Sequence, residues 1–501
     1  MLRSIRRSPA LKALQLSESM TMDHQSRALS ERLRGLFGGR KVVLAGGTRL
    51  YRRVQELQHL GVDRTLVIST DDSAPLYDPQ VATWLPLGIS GLIATEQMGL
   101  EEALSSPAPE LAGALREFDP EGDALVVGSH YMALPEVDGR TVINYRRPEW
   151  VALENKTTID SLWRDLSAPH APAVVFDAAG ESFSSLWEAS KRLDSGWGVV
   201  WSGDGPAING GANFVRRVRT RSEARRVFRH LAPKCDFIRV MPFLEGIPVS
   251  VHGIVFPDGT AVLRPIEMVV PRRTESARFL YAGCASFYDP PSQIRDEMRN
   301  LARRVGEQLR TTVGYRGTFT LDGVATADGF RPTEINTRYG GAMTCFEDAL
   351  PQVPIALVHV ALVAGYDIGI SSMEFEDMLV HAADTSRISS IGANVKAVSP
   401  THEVERPIVW TEWACRWAHE DEVPHGTLRL KPGRIGGRLE LDMFQDMVRP
   451  GRAAAPLVVS AFALADQDWC TGLGRLEPAQ AVVEPDVEEL MAAVEQAAVT
   501  A

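Results

Sequence analysis

The sequence predicts an α/β chain whose central part is α+β. Three observations predict it. Over the first third, apolar β-branched runs alternate with helical stretches, the pattern of a parallel sheet covered on both faces. Beyond Arg147-Pro148 the texture changes to paired strands joined by Pro, Asp and Gly, the mark of hairpins. With 501 residues, and about 150 per domain, the chain is too long for one domain.

Residues 1–38 read as an Arg-rich, loosely ordered lead into a helix. The first clear strand is Lys41–Ala45 (KVVLA), followed by Gly46-Gly47 and a helix near Tyr51–Leu60. Strands follow at Arg64–Ser69, Ala124–Gly128 and Thr141–Asn144, giving an expected domain over 39–148. Gly46-Gly47 invites a dinucleotide reading, but the spacing is not GxGxxG and no acidic residue is placed for a ribose. A tight strand-to-helix turn is the alternative.

The second region is expected over 149–372. A helix runs from Thr157-Thr158 through Trp163. A strand then ends at Trp201, and a glycine-rich stretch follows. Strands come next at Phe237–Met241, at Ser250–Phe256 and, past the Pro257-Asp258-Gly259 turn, at Ala261–Val270. The apolar run Val353–Ala364 is too short to span a bilayer and reads as a buried helix. Residues 373–501 form a third region, with Trp410, Trp413 and Trp417 clustered and an acidic last helix, Glu484–Glu495.

Composition narrows the function. Hydrophobic residues at 45% and charged residues at 23% exclude a disordered chain, a coiled coil and a fibre. A net charge of −11 is a poor start for sequence-independent nucleic-acid binding. Seven lysines among 53 cations make a well-placed lysine informative. The five cysteines are widely spread, without zinc spacing, and read as free thiols in a reducing cytoplasm. The N-terminus is basic but lacks the apolar core of a secretory signal. His252 and His359 lie in apolar runs and read as core residues.

Gly314–Gly341 carries the chemistry. Phe319–Val324 and Arg331–Asn336 read as adjacent strands, with Asp328-Gly329 in the connection. Residues two apart in a strand share a face, so Glu334 and Asn336 point together and the hairpin sets them beside Asp322. Two carboxylates and an amide oxygen form a hard-oxygen set suited to Mg²⁺. Arg338 continues the alternation and can neutralise a phosphate or carboxylate.

This segment resembles the metal-binding hairpin of ATP-grasp enzymes, whose signature ends Glu-x-Asn-x-Arg with an acidic residue about a dozen positions earlier; Asp322 stands twelve before Glu334. The run from Tyr315 and Arg316 to Phe319 resembles biotin-carboxylase relatives. Asn155-Lys156 resembles the family's opening lysine, which reaches nucleotide phosphates. Gly203–Gly211 (GDGPAINGG) resembles the loop that closes over them, with Gly203, Asn209, Gly210 and Gly211 as its contacts. Met241–Gly246 (MPFLEG) resembles the inter-lobe hinge, where the Pro242 carbonyl and the Leu244 N–H would meet adenine. The resemblance covers about 150–365. The preliminary α/β domain, VVWSGDGPAINGG, MPFLEGIPVSVHG and a long C-terminal extension are similar to the pheganomycin-type peptide ligases.

The resemblance implies a preATP-grasp domain, a two-lobed ATP-grasp domain and a C-terminal extension. It also implies an ADP-forming carboxylate–amine ligase that uses ATP and Mg²⁺ through an acyl phosphate. Arg338, Arg316 and Glu267 are the expected catalytic contacts, with Asp322, Glu334 and Asn336 holding metal. Trp201 stands where many members place a second phosphate lysine, so either Arg264 on a later strand substitutes for it or this branch binds the α-phosphate differently; Pro248 stands near the place of the ribose-binding Glu, with Glu245 of the hinge as its candidate replacement. Arg272, Arg273 and Arg278 are either an exposed basic loop or acceptor contacts. The expected partners are small or peptide carboxylates and amines, with no nucleic acid and no membrane. A homodimer is the commonest closed assembly. Two rivals are a carboxylase-like enzyme, against which no Met-Lys biotin site occurs, and a non-catalytic nucleotide sensor or scaffold.

Overall fold

The computed structural model describes residues 9–47, 50–71, 80–89, 91, 93–205, 212–411, 414–433, 436–449 and 451–479. Trp413 and the expected helix at 484–495 lie outside them.

The expected loose lead is a long helix, α1 (Pro9–Phe37). Leu29, Leu33 and Phe37, four apart, form one stripe buried against β1 (Lys41–Gly46) and α2 (Leu50–His59). With β2 (Arg64–Ser69), β3 (Ala82–Pro86) and β4 (Leu125–Val127), β1 builds a parallel sheet in the order β3-β2-β1-β4. The sequence reading missed β3. It placed a strand at 141–144, where Arg140-Thr141 form a short ribbon with Glu136-Val137 and Val142 makes a single parallel bridge to Val126 of β4. The reason is Asn144: its side chain bonds both the N–H and the carbonyl of Gly128, replacing ladder bonds beyond β4.

A second, antiparallel sheet contains β5 (Val174–Asp177), β6 (Val199–Asp204), β7 (Val215–Val218) and β8 (Phe237–Pro242), in the order β5-β8-β6-β7. Helix α3 (Arg221–Leu231) packs on it, its start fixed by a capping box between Thr220 and Glu223.

The third sheet is large and antiparallel. Its strands are β9 (Ile247–Val255), β10 (Thr260–Val262), β11 (Ile266–Met268), β12 (Gly283–Ala285), β13 (Gly317–Thr326), β14 (Gly329–Asn336), β15 (Ser389–Val395), β16 (Val404–Thr411), β17 (Ala414–Trp417), β18 (Gly426–Pro432) and β19 (Gly437–Met443). The order is β14-β13-β9-β11-β12-β15-β19-β18-β16-β17, with β10 on β9. The expected strand Ala261–Val270 is broken at Pro265, which lacks the N–H a ladder needs. Strands of the third region thus extend the central sheet through the β12–β15 pairing. At that seam Gly283 has φ +111°, and a Cβ would overlap the Ser390 carbonyl oxygen.

Helices α4 (Ser292–Thr312), α5 (Ile355–Val363), α6 (Ser372–Thr385) and α7 (Ala455–Trp469) cover this sheet. The apolar run at 353–364 is the buried helix α5, and His359 Nδ1 accepts the Thr318 N–H there. Arg53 on α2 reaches buried Glu347 at 2.8 Å and ties the N-terminal sheet to the centre.

Candidate functional site

The site begins with the β13–β14 hairpin. Asp322 pairs directly with Glu334 and Thr320 with Asn336, while Leu321 and Ile335 face the opposite, apolar side. A β-bulge after Asp322 locally twists the strand where the carboxylate emerges. On β9, Ser250 lies opposite Asp322, and its hydroxyl donates to Asp322 Oδ1. Asn336 Nδ2 donates to Asp322 Oδ2 at 3.1 Å.

Lys156 enters from the turn ahead of the helix Ile159–Asp165. Its N–H donates to Asp204 Oδ2 at 2.7 Å, which anchors that turn to the end of β6. Its Nζ pairs with Glu334 Oε2 at 3.1 Å. Arg338 arrives on the expected alternation and donates to Asn336 Oδ1 at 2.7 Å. It lies over the Tyr131 ring at 4.6 Å and 3.5 Å from Glu154 Oε1. Glu154 also pairs with Arg146 at 2.6 Å and accepts the Thr337 N–H at 2.8 Å.

The charges are strongly coupled. Burial, then the facing Glu334, pushes the Asp322 carboxyl up to about 7. Burial also opposes ionisation of Glu334, but Lys156 wins and holds it below the usual range. Burial disfavours the Lys156 ammonium, yet Glu334, Asp204 and Asp322 keep it above its ordinary value. Asp322 itself has no ion pair among the described residues; it accepts hydroxyl and amide hydrogen bonds and shares one with the Glu334 carboxylate. Among those residues no group of three or more His, Cys, Asp or Glu is set to hold a metal. The set here is two carboxylates and one amide.

The segment expected to be the hinge follows β8, where the Phe243 N–H donates to the Gly198 carbonyl. Pro242 is buried, Leu244 is half-buried, and the Glu245 carboxylate takes a 2.6 Å bond from Arg272. Gly203 sits within β6, packed so closely on Cys235 that a Cβ would displace it. Asn209, Gly210 and Gly211 lie outside the described residues.

Three expected residues are placed elsewhere. Glu267 pairs across from Val249, on the face opposite Ser250, and its two oxygens accept the Ala454 and Ala455 N–H groups at the start of α7. Arg264 binds Asp289, Asp384 and the Ala383 carbonyl at the end of α6. Arg316 precedes β13, six residues or about 20 Å along the strand from Asp322, and donates to the Tyr315 carbonyl. Trp201 is fully buried beneath the helix Phe183–Leu193, its Nε1 on Ser190 Oγ. The alternation therefore turns Val200 and Ser202, not Trp201, to the side of Asp204.

Sequence reasoning missed Ser250, Asp204, Glu154, Arg146 and Tyr131. Ser250 becomes visible only once the β9–β13 register is known. Tyr131 is delivered by the loop after β4, a long-range contact that no local motif marks.

No protein-family model matches the chain, and no curated protein matches it. Its fold recurs among solved structures. The biotin carboxylase domain of Hydrogenobacter thermophilus 2-oxoglutarate carboxylase, a dimer with MgADP, ADP and bicarbonate, is 14% identical with a TM-score of 0.53; the match covers 88% of this chain and 91% of that one. Biotin carboxylase from Campylobacter jejuni, in a β,γ-ATP complex, is 11% identical with a TM-score of 0.52, covering 81% and 87%. An ADP complex of N5-carboxyaminoimidazole ribonucleotide synthetase is 13% identical with a TM-score of 0.50, covering 86% and 98%. The fold shared with these proteins is the ATP-grasp fold, a parallel N-terminal sheet beside a large antiparallel one.

Proposed function

We propose that the chain is an ATP-dependent carboxylate–amine ligase acting on amino acids or short peptides, of the pheganomycin-like kind. The observation that carries this reading is the meeting of Lys156, from the turn bound to Asp204 of the second sheet, with Asp322, Glu334, Asn336 and Arg338 of the β13–β14 hairpin in one largely buried cluster.

The donors suit magnesium and a nucleotide. Asp322 is a buried carboxylate that makes no ion pair among the described residues and faces a second carboxylate. Hard oxygen ligands of this kind favour Mg²⁺, which takes phosphate oxygens as further ligands. Asp322, Glu334 and Asn336 would hold the metal. Lys156, Gly203 and the segment 203–211 would meet phosphates, and Pro242 and Leu244 the adenine edge. When bound, MgATP would supply a phosphoryl group to the substrate carboxylate, leaving ADP, and so make an acyl carbon that the amine can attack with phosphate as the leaving group.

The chain's own residues bind and orient. Lys156 is held by Asp204 at its backbone and by Glu334 at its ammonium, so its charge is aimed before any ligand arrives. Arg338 is held by Tyr131 beneath its plane and by Glu154 and Asn336 at its edge, which fixes the orientation of a guanidinium suited to an anion. The Asn336 amide presents its NH₂ to Asp322 and its oxygen to Arg338, so entry of that oxygen into the metal set requires the amide to turn. Positioning and charge neutralisation carry such chemistry.

Nucleotide product analysis tests the reading. Protein, MgATP and pooled amino acids and peptides are incubated with and without hydroxylamine. ADP, phosphate and a hydroxamate that appears only with certain acids support the ligase. AMP and pyrophosphate overturn it in favour of adenylation. ADP release that depends on bicarbonate points to a carboxylase, and ATP binding without turnover over a broad panel points to a sensor or scaffold.

A further inference from the structure

A second concentration of charge lies away from the metal cluster. The short strand Arg272-Arg273 pairs with Leu476-Glu477. The loop that follows it docks on β7, the edge of the second sheet: the Arg217 N–H donates to the Ala277 carbonyl, and Arg216 bridges Arg278. Arg217, Arg219, Arg272, Arg273 and Arg278 thus line one depression with Glu477. Arg219 pairs with Glu223 and Arg272 with Glu245. The Arg217 guanidinium donates to the Trp197 carbonyl and that of Arg273 to the Leu473 carbonyl, and neither makes an ion pair among the described residues. Arg278 is exposed and makes no ion pair among the described residues. Burial first, and neighbouring guanidiniums second, hold Arg217 and Arg273 below their ordinary values. The basic surface continues onto α3, where Arg221, Arg225, Arg226 and Arg229 are exposed.

The described chain leaves this same place. Arg272 Nη2 donates to the Pro478 carbonyl at 2.5 Å, and the last described residue is Ala479. Residues 480–501 carry Glu484, Asp486, Glu488, Glu489 and Glu495 and no Lys or Arg. Val487, Leu490, Met491 and Val494 recur at helical spacing, one apolar stripe beside those carboxylates. A tether this short holds the acidic segment at an effective concentration of about 1 mM over the arginines.

We infer that residues 480–501 dock in the same molecule onto the arginine depression of Arg217, Arg273 and Arg278, as an acidic strap joining β7 to the Arg272–Arg278 loop. The strap lies beside Glu245 and the hinge, so it links the second sheet to the large one independently of any nucleotide.

Endoproteinase Glu-C on the full chain tests this, reading release of the segment after Glu488, Glu489 or Glu495 by mass spectrometry. A synthetic peptide of residues 480–501 gives the unprotected rate. Wild-type chain should release the segment well below that rate. Arg278→Glu should speed release about tenfold at low salt, and the difference should vanish near 1 M salt, where the Debye length is about 3 Å. Arg295→Glu, an equal charge change on α4, should leave the rate unchanged. Excess synthetic peptide should speed release from wild-type chain saturably, by competing for the depression. Release as fast as from the free peptide overturns the inference, as does protection indifferent to Arg278→Glu and to salt. Protection that rises with protein concentration overturns the intramolecular strap and assigns the depression to a second copy.

Discussion

Glu267→Gln separates two roles that one carboxylate could have. Glu267 is fully buried, and its oxygens accept the Ala454 N–H at 2.5 Å and the Ala455 N–H at 2.9 Å. Burial raises its carboxyl from 4.5 to about 7, against the opposing pull of those two bonds. The folded state therefore binds a proton more tightly than the unfolded chain. Stability should be greatest below pH 4.5 and fall as pH rises toward about 7, then level off. At about 1.4 kcal/mol per pH unit, the fall is at most about 3 kcal/mol.

Glutamine cannot ionise, so the variant should lose this descent. It also sets an amide NH₂ against one of the two N–H donors, which costs about 1–2 kcal/mol at every pH. At pH 5 the variant should be the less stable protein; at pH 8 the gap should close or reverse. Urea unfolding at half-unit steps from pH 5 to 8 measures this, and turnover should stay within a few-fold of wild type. An unchanged pH slope would refute the burial argument. Turnover lowered by orders of magnitude, with stability unchanged, would return Glu267 to the reaction.

The cluster itself gives sharper losses. Asp322→Asn and Glu334→Gln should each lower turnover by about 10² or more while circular dichroism stays native; wild-type turnover in either would sink the metal assignment. Arg338→Lys keeps the charge but loses the planar fork between Asn336 and Glu154. Its kcat/KM should drop about tenfold or more, and an unchanged value would make Arg338 a passive neighbour of Tyr131. Gly283→Ala must place a side chain at φ +111° against the Ser390 carbonyl, so it should destabilise by about 3 kcal/mol or more. A variant that unfolds at the wild-type temperature would show that the β12–β15 seam yields.

What could be read in advance follows from the range of each signal. The hairpin was legible because strand alternation is local: the positions of Asp322, Glu334 and Asn336 fix their common face without knowledge of the fold. The parallel sheet was legible from its β-branched runs, apart from Ala82–Pro86, whose Trp and Pro do not read as a buried strand. Glu267 and Arg264 were misjudged for a different reason. Their faces depend on register against Val249 and on the approach of α6 and α7, which are long-range facts. Trp201 was compared by position alone, and alternation along β6 sends it into the core.

Tyr131 shows how far the site depends on the N-terminal sheet. In the order β3-β2-β1-β4 the loop after β4 leaves the carboxyl end of the sheet, where open α/β sheets present their ligand crevices. That loop carries His130 onto the Tyr339 ring at 4.4 Å and Tyr131 beneath Arg338. Arg338 is thus held by its own hairpin through Asn336 and by a separate sheet through Tyr131. Among the described residues, the proposed metal ligands and their immediate partners come from β9, β13, β14 and Lys156. Choice of the acid that meets Arg338 should therefore follow the loop after β4, and exchanging Tyr131 should alter which carboxylates are used before it alters ATP binding.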